Sequence, residues 1–134
     1  MMRPTRAVLA TAVAVLAAPV LSQAPAPAPA ASQPAVVHVV LFTLEPGAKP
    51  EDAAELIADS RRLLAQVPGV EDIRVGRKAK DDRDVHVKDY EVGLLVRVRG
   101  LTDLAAYAAH PKHRELVEKW RGRARWKVID FFAE

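Results

Sequence analysis

Read along its polar and apolar positions, the chain divides into six regular elements. From Val36 to Leu44 nearly every position is β-branched or apolar, including Val36, Val37, Val39, Val40, Leu41 and Phe42. A strand of that composition has both faces covered, so it belongs at the centre of a sheet. Pro46-Gly47 ends it, and Pro50-Glu51-Asp52 opens a helix with proline in the first turn and acids at the positive end of the dipole. In that helix Ala53, Leu56, Ile57, Ser60, Leu63, Leu64 and Val67 recur at three- and four-residue steps, which leaves Glu55, Asp59, Arg61 and Arg62 outward. Pro68-Gly69 stops it.

Val70 to Arg77 alternates, with Ile73 and Val75 on one side and Asp72 and Arg74 on the other, the pattern of an edge strand. A charged loop from Arg77 to Asp89 leads to a second central strand, Tyr90 to Arg99. Thr102 is placed to cap a helix carrying Leu104, Tyr107 and Ala108 on one face. His110-Pro111 interrupts it, because proline disfavours a helical residue before it yet suits the first turn of a new helix. In that new helix His113, Leu116, Val117 and Trp120 fall at i, i+3, i+4 and i+7, so His113 faces inward. After Gly122, Trp126 to Phe132 supplies a last strand.

Strand, helix, strand, strand, helix, strand is the βαββαβ order of an α+β, ferredoxin-like domain with a four-stranded antiparallel sheet and its first and third strands in the middle. Both helices then cover one face. The other face, with several of Val36, Val40, Phe42, Leu44, Leu94 and Val96, would meet water in a monomer. Burying five or more such side chains is worth of order 10 kcal/mol, comparable with the whole stability of a small domain. The expectation is an obligate homodimer.

The first thirty residues change the picture of where the domain begins. Arg3 and Arg6, the apolar run Ala7 to Leu21 and the small residues after it have the three-part form of a signal peptide, residues 1–24, with cleavage as late as residue 30. The run is too short, and too broken by Pro19, for a membrane span, so no stable anchor is expected after cleavage. Residues 25–35 are rich in alanine and proline and read as a solvated spacer. The domain therefore occupies residues 36–134 of an exported chain, periplasmic or secreted. The formal charge is +3, and losing Arg3 and Arg6 with the leader takes two from it, leaving +1. Cysteine is absent, which excludes a disulfide framework, a thiolate nucleophile and a cysteine-held zinc.

Candidate chemistry concentrates in Tyr107-Ala108-Ala109-His110-Pro111-Lys112-His113. Imidazole titrates near neutrality and a phenol can donate to a developing oxyanion, so Tyr107 and His113 are candidate catalytic groups; the bland alternative is a pair of hydrogen-bonded core residues. His38 shares a face with Val36, Val40 and Phe42 and points either at the helices or into a space between subunits. His110 suits the bend before Pro111. A metal is not expected, since His110 and His113 are split by the helix break and no carboxylate accompanies them on that face. No cofactor is expected either. The basic stretch Lys112 to Lys127, interleaved with Trp120 and Trp126, has the composition of a single-strand nucleic-acid site, but Glu115, Glu118 and export make it a solvated surface.

Val37-His38-Val39-Val40-Leu41-Phe42, Pro68-Gly69-Val70, Val75-Gly76, Asp89-Tyr90, the Tyr107 to His113 motif and Val128-Ile129-Asp130-Phe131 together resemble the stress-responsive A/B barrel, or Dabb, family. The resemblance implies a ferredoxin-like fold whose sheets pair face to face as a dimeric α+β barrel, and it favours a His38 that points into the barrel. One branch is similar to polyketide cyclases, in which a tyrosine and a histidine handle the protons of an aldol step. By motif position Tyr107 and His113 match that pair, and His38 and His110 match further pocket histidines; with Trp120 they form the candidate ligand-binding set. Three functions follow as expectations: a homodimer that binds a small, partly apolar molecule in the barrel pocket; an acid/base enzyme of the cyclase or isomerase type using Tyr107 and His113; or an interaction module with a filled barrel. An open cavity separates the first two from the third.

Two cleavage points fit the small-x-small rule, after Ala24 and after Ala30. The intact mass of protein recovered from the periplasm or medium is expected to correspond to a chain beginning at Pro25 or Ala31; a recovered chain beginning at Met1 would remove the leader reading.

Overall fold

In the computed structural model, which describes residues 33–134, the elements are β1 (Ala35–Leu44), α1 (Pro50–Leu64), β2 (Val70–Arg77), β3 (Val92–Val98), α2 (Leu101–Ala109), α3 (Pro111–Trp120) and β4 (Ala124–Ala133). The expected leader, and the spacer up to residue 32, lie outside the described residues. The four strands form one antiparallel sheet in the order β2-β3-β1-β4, so the two most apolar strands are central, as their composition requires. Among the described residues no helix is long and apolar enough to cross a membrane.

The helices cover one face only. Val36, Val40 and Phe42 of β1 and Val92, Leu94, Val96 and Val98 of β3 are buried in a single core with Leu56, Leu63, Leu64, Tyr107, Leu116 and Trp120. This corrects the expected division of the strands. Cross-strand partners share a face, and the register pairs Val36 with Val98, His38 with Val96 and Val40 with Leu94. Those residues therefore all lie beneath the helices. The uncovered face carries Val37, Val39 and Leu41 with their β4 partners Phe131, Ile129 and Lys127. Ile129 is 56% and Phe131 50% exposed. The leftover apolar face thus exists, built from the alternate residues of the same strands.

Two turns depend on glycine. Gly69, after α1, has φ +87°, and a Cβ there would meet the Asp103 side chain at 3.1 Å. Gly122, between α3 and β4, has φ +78°. Thr102 does not cap α2. The helix begins two residues earlier, at Leu101, with Gly100 as its cap, and Asp103 pairs with Arg99 at 2.6 Å.

Asp59, expected on the outside of α1, is buried. Its Oδ2 accepts the Trp120 indole N–H at 3.1 Å and lies 2.7 Å from Lys119 Nζ, while Oδ1 lies 3.0 Å from Arg62. Burial pushes this carboxyl up, but the bonds from Lys119, Arg62 and Trp120 outweigh it and hold it below its ordinary value. Beside it Glu55 binds Arg123 at 2.7 Å and Lys119 at 2.8 Å. Those two cations bring Glu55 down to about 2. The Arg123 guanidinium also stacks 4.0 Å from the Trp120 ring. Together these contacts tie α1 to α3 and fix the rotamer of the largest core side chain.

Replacing Asp59 by alanine leaves a buried indole N–H without an acceptor. Asp59→Ala is expected to lower stability by about 1–3 kcal/mol, read as a shift of the urea midpoint at unchanged slope. Lys119→Met, which removes a half-exposed cation from the same cluster, is expected to cost less.

Candidate functional site

The His110-Pro111 break builds the site. Pro111 has no N–H, and the Lys112 N–H, which would bond the Ala108 carbonyl in an unbroken helix, donates instead to His110 Nδ1 at 3.1 Å. His110 is thereby the last cap of α2 and the first cap of α3. The Ala108 carbonyl, freed by this exchange, is met by His113 Nδ1 at 3.0 Å. A carbonyl only accepts, so Nδ1 carries the proton and, in the neutral ring, Nε2 is bare. Burial lowers the His113 pKa below its ordinary value, more than the bond to Ala108 raises it, and the neighbouring His38 lowers it further.

Tyr107, on α2, is almost wholly buried, with its ring centroid 4.7 Å from that of His113 and 5.6 Å from that of His38. Burial, helped by the nearby Asp130 carboxylate, pushes the phenol above its ordinary value. It is a neutral O–H at every physiological pH. His38 stands on the helix side of β1, not between subunits as the resemblance had suggested, because it alternates in step with Val36, Val40 and Phe42. Directly opposite it on β4 is Asp130, and His38 Nδ1 lies 2.6 Å from Asp130 Oδ1. The carboxylate fixes this ring as the Ala108 carbonyl fixes His113, with Nδ1 as donor.

These four side chains line one end of a cavity of about 560 Å³ between the sheet and the α2–α3 pair. The remaining wall is apolar, including Val40, Phe42, Leu94, Leu116, Trp120 and Trp126. Of the residues singled out in the sequence, Tyr107, His113, His38 and Trp120 meet at the cavity; His110 does not line it and is occupied at the helix joint. Asp130 was missed. An acid within Val128-Ile129-Asp130-Phe131 was the available signal, but only the β1–β4 register shows that it faces His38. Among the described residues no group of three or more His, Asp or Glu side chains is arranged to hold a metal ion.

The basic stretch is occupied by intramolecular pairs: Lys112 with Glu115, Lys119 with Glu55 and Asp59, Arg121 with Glu118, Arg123 with Asp52 and Glu55, Arg125 with Glu45, and Lys127 with Asp89. Trp120 is buried beneath it rather than presented for stacking.

The family model for the stress responsive A/B barrel domain, Dabb, matches residues 36–133, and the chain belongs to that family. No curated protein matches it. Among solved structures it is similar to a Dabb family protein with a ferredoxin-like fold from Mesorhizobium loti, at 21% identity and a TM-score of 0.63 over 76% of this chain and 99% of the other. A dimeric ferredoxin-like protein of unknown function from Thermobifida fusca is similar at 19% identity and a TM-score of 0.63, over 75% and 92%. A hydroxynitrile lyase from Passiflora edulis is similar at 13% identity and a TM-score of 0.66, over 75% and 94%. At these identities the likeness is one of fold.

The lowered His113 pKa has a definite sign. Below about pH 6.5 an unfolded His113 takes up a proton that the folded chain resists, so this contribution is present above that pH and is lost as the pH falls through the folded value. His113→Gln, which has no titrating ring, is expected to show a smaller loss of urea midpoint between pH 7.5 and pH 5 than the natural chain does. An unchanged pH profile would contradict the buried, neutral assignment.

Proposed function

We propose that this chain is an exported homodimer in which each protomer holds a small, partly apolar molecule in the cavity between the sheet and α2–α3. The cavity carries the reading: about 560 Å³ of open volume, apolar along most of its wall, with Tyr107, His113 and the His38–Asp130 pair gathered at one end. Binding sites for small molecules combine these two features, an apolar cleft and a few convergent polar groups. Open volume reaching Tyr107 and His113 also argues against a purely structural module with a filled interior. The pocket lies within one protomer, on the helix side of the sheet, so the dimer is needed to cover the other face. The exposed Ile129 and Phe131, with the partly buried Val39 and Leu41, supply the apolar band for that contact, and the Thermobifida fusca neighbour is itself dimeric. Export rests on the leader-like pattern of the first 24 residues.

A second reading, proton transfer, is favoured by the way the two imidazoles are held. Each has Nδ1 engaged by an acceptor, which leaves Nε2 of His113 as a base while the Tyr107 O–H donates to an oxyanion. In that role Tyr107 and His113 are the catalytic residues and His38, fixed by Asp130, positions the bound molecule.

Native mass spectrometry of the purified protein is expected to give a dimer carrying a small-molecule adduct. Ala105→Trp, at an exposed cavity-wall position, should remove the adduct and keep the dimer, and Ile129→Lys with Phe131→Lys should give monomers. A wild-type monomer at micromolar concentration, or an adduct that survives Ala105→Trp, contradicts the corresponding half of the proposal. If the adduct is turned over, Tyr107→Phe and His113→Ala are each expected to slow the reaction about 10²–10⁴-fold.

A further inference from the structure

The cavity is graded from one end to the other. Along β1 its lining steps from His38 through Val40 to Phe42, and along α3 from His113 through Leu116 to Trp120. His38 faces Asp130 across the strand pair, and four residues on, Phe42 faces Trp126 with ring centroids 6.1 Å apart. Four strand residues span about 13 Å. Ionisable and hydroxyl groups thus occupy one pole only, and a largely apolar channel of roughly that length leads away from them.

The polar pole has a definite hydrogen-bonding demand. The Ala108 carbonyl accepts a hydrogen bond from His113 Nδ1 and the Asp130 carboxylate one from His38 Nδ1, so the neutral His113 ring offers a bare Nε2 as acceptor. The buried Tyr107 hydroxyl is the donor. No lysine or arginine lines the cavity, and Asp130 is its one carboxylate. A carboxylate ligand would meet a like charge with no cation to offset it, and an ether or ester could accept from Tyr107 but could give nothing to an imidazole. A hydroxyl group both accepts and donates.

Resting on the binding reading above, we infer that the cavity selects a neutral hydroxyl compound with an unbranched apolar tail, its O–H between Tyr107 and the imidazoles and its tail running toward Phe42 and Trp126. Four homologous series test this by calorimetry on the full dimer at pH 8: straight-chain primary alcohols, their methyl ethers, and the matching carboxylates and alkylamines. The alcohols are expected to tighten about fourfold for each added methylene until the tail reaches Trp126. Methyl ethers of equal tail are expected to bind at least tenfold more weakly, and carboxylates more weakly still. Tyr107→Phe should bring alcohols down to the level of ethers. Trp126→Ala, at a partly exposed position, should lengthen the optimal tail and leave the alcohol-to-ether ratio unchanged. Equal or tighter binding of carboxylates, amines or ethers, or affinity that ignores tail length, overturns the ligand class while leaving the cavity a binding site. If no member of any series binds at millimolar concentration, the binding reading and this inference fall together.

Discussion

β1 is apolar on both of its faces, and that one strand sets the conditions for everything around it. A strand with valine or a larger apolar residue at almost every position cannot lie at an edge or face water. It must sit between two partner strands and between two layers. The helices supply one layer, against Val36, Val40 and Phe42. Val37, Val39 and Leu41 belong to the other, where none of the described helices packs and the neighbouring Ile129 and Phe131 stand exposed. The demand for a second copy therefore originates in the same residues that build the core.

The one polar interruption of β1 on the helix side is His38, and its presence there has consequences for three other elements. A half-buried imidazole needs a partner, and the strand register sets Asp130 opposite it. Tyr107 and His113 pack around the pair from α2 and α3. The joint between those helices orients His113: proline removes one donor, His110 takes another, and the stranded carbonyl captures the ring. A local rule of helix termini is thus converted into the tautomer of a cavity-lining group. On the far side Asp59 performs the matching task for Trp120, accepting its N–H so that the indole presents its apolar surface to the cavity.

Much of this was legible in the sequence. The order and type of the elements followed from periodicity and from Pro46-Gly47, Pro68-Gly69, His110-Pro111 and Gly122, because those residues stop regular structure for local steric reasons, while several ends moved by two or three residues. The meeting of Tyr107 with His113 followed from helical spacing across the break. The division of β1 did not: with both faces apolar, alternation has no contrast, and nothing local says which parity the helices take. His38 was misplaced for the same reason. Asp59 was read as a surface acid because helical spacing assigns a face but cannot reveal that a lysine, an arginine and an indole converge on it from other parts of the chain. Asp130 is a register fact, visible only once β1 and β4 are paired residue by residue.

Membership of the Dabb family fixes the scaffold and leaves the chemistry to the side chains, since one fold hosts unrelated reactions. On that scaffold this chain carries a buried phenol between two imidazoles whose inner nitrogens are already committed. Such groups are costly to bury without a use. Burial disfavours the phenolate of Tyr107 and the protonated form of His113, which favours the first as a donor and the second as an acceptor. The same two properties, a donor and an acceptor in a largely apolar cleft, are those a proton-transfer site needs, so ligand recognition and catalysis draw on one arrangement. They differ only in whether the bound molecule has a proton that Nε2 of His113 can remove.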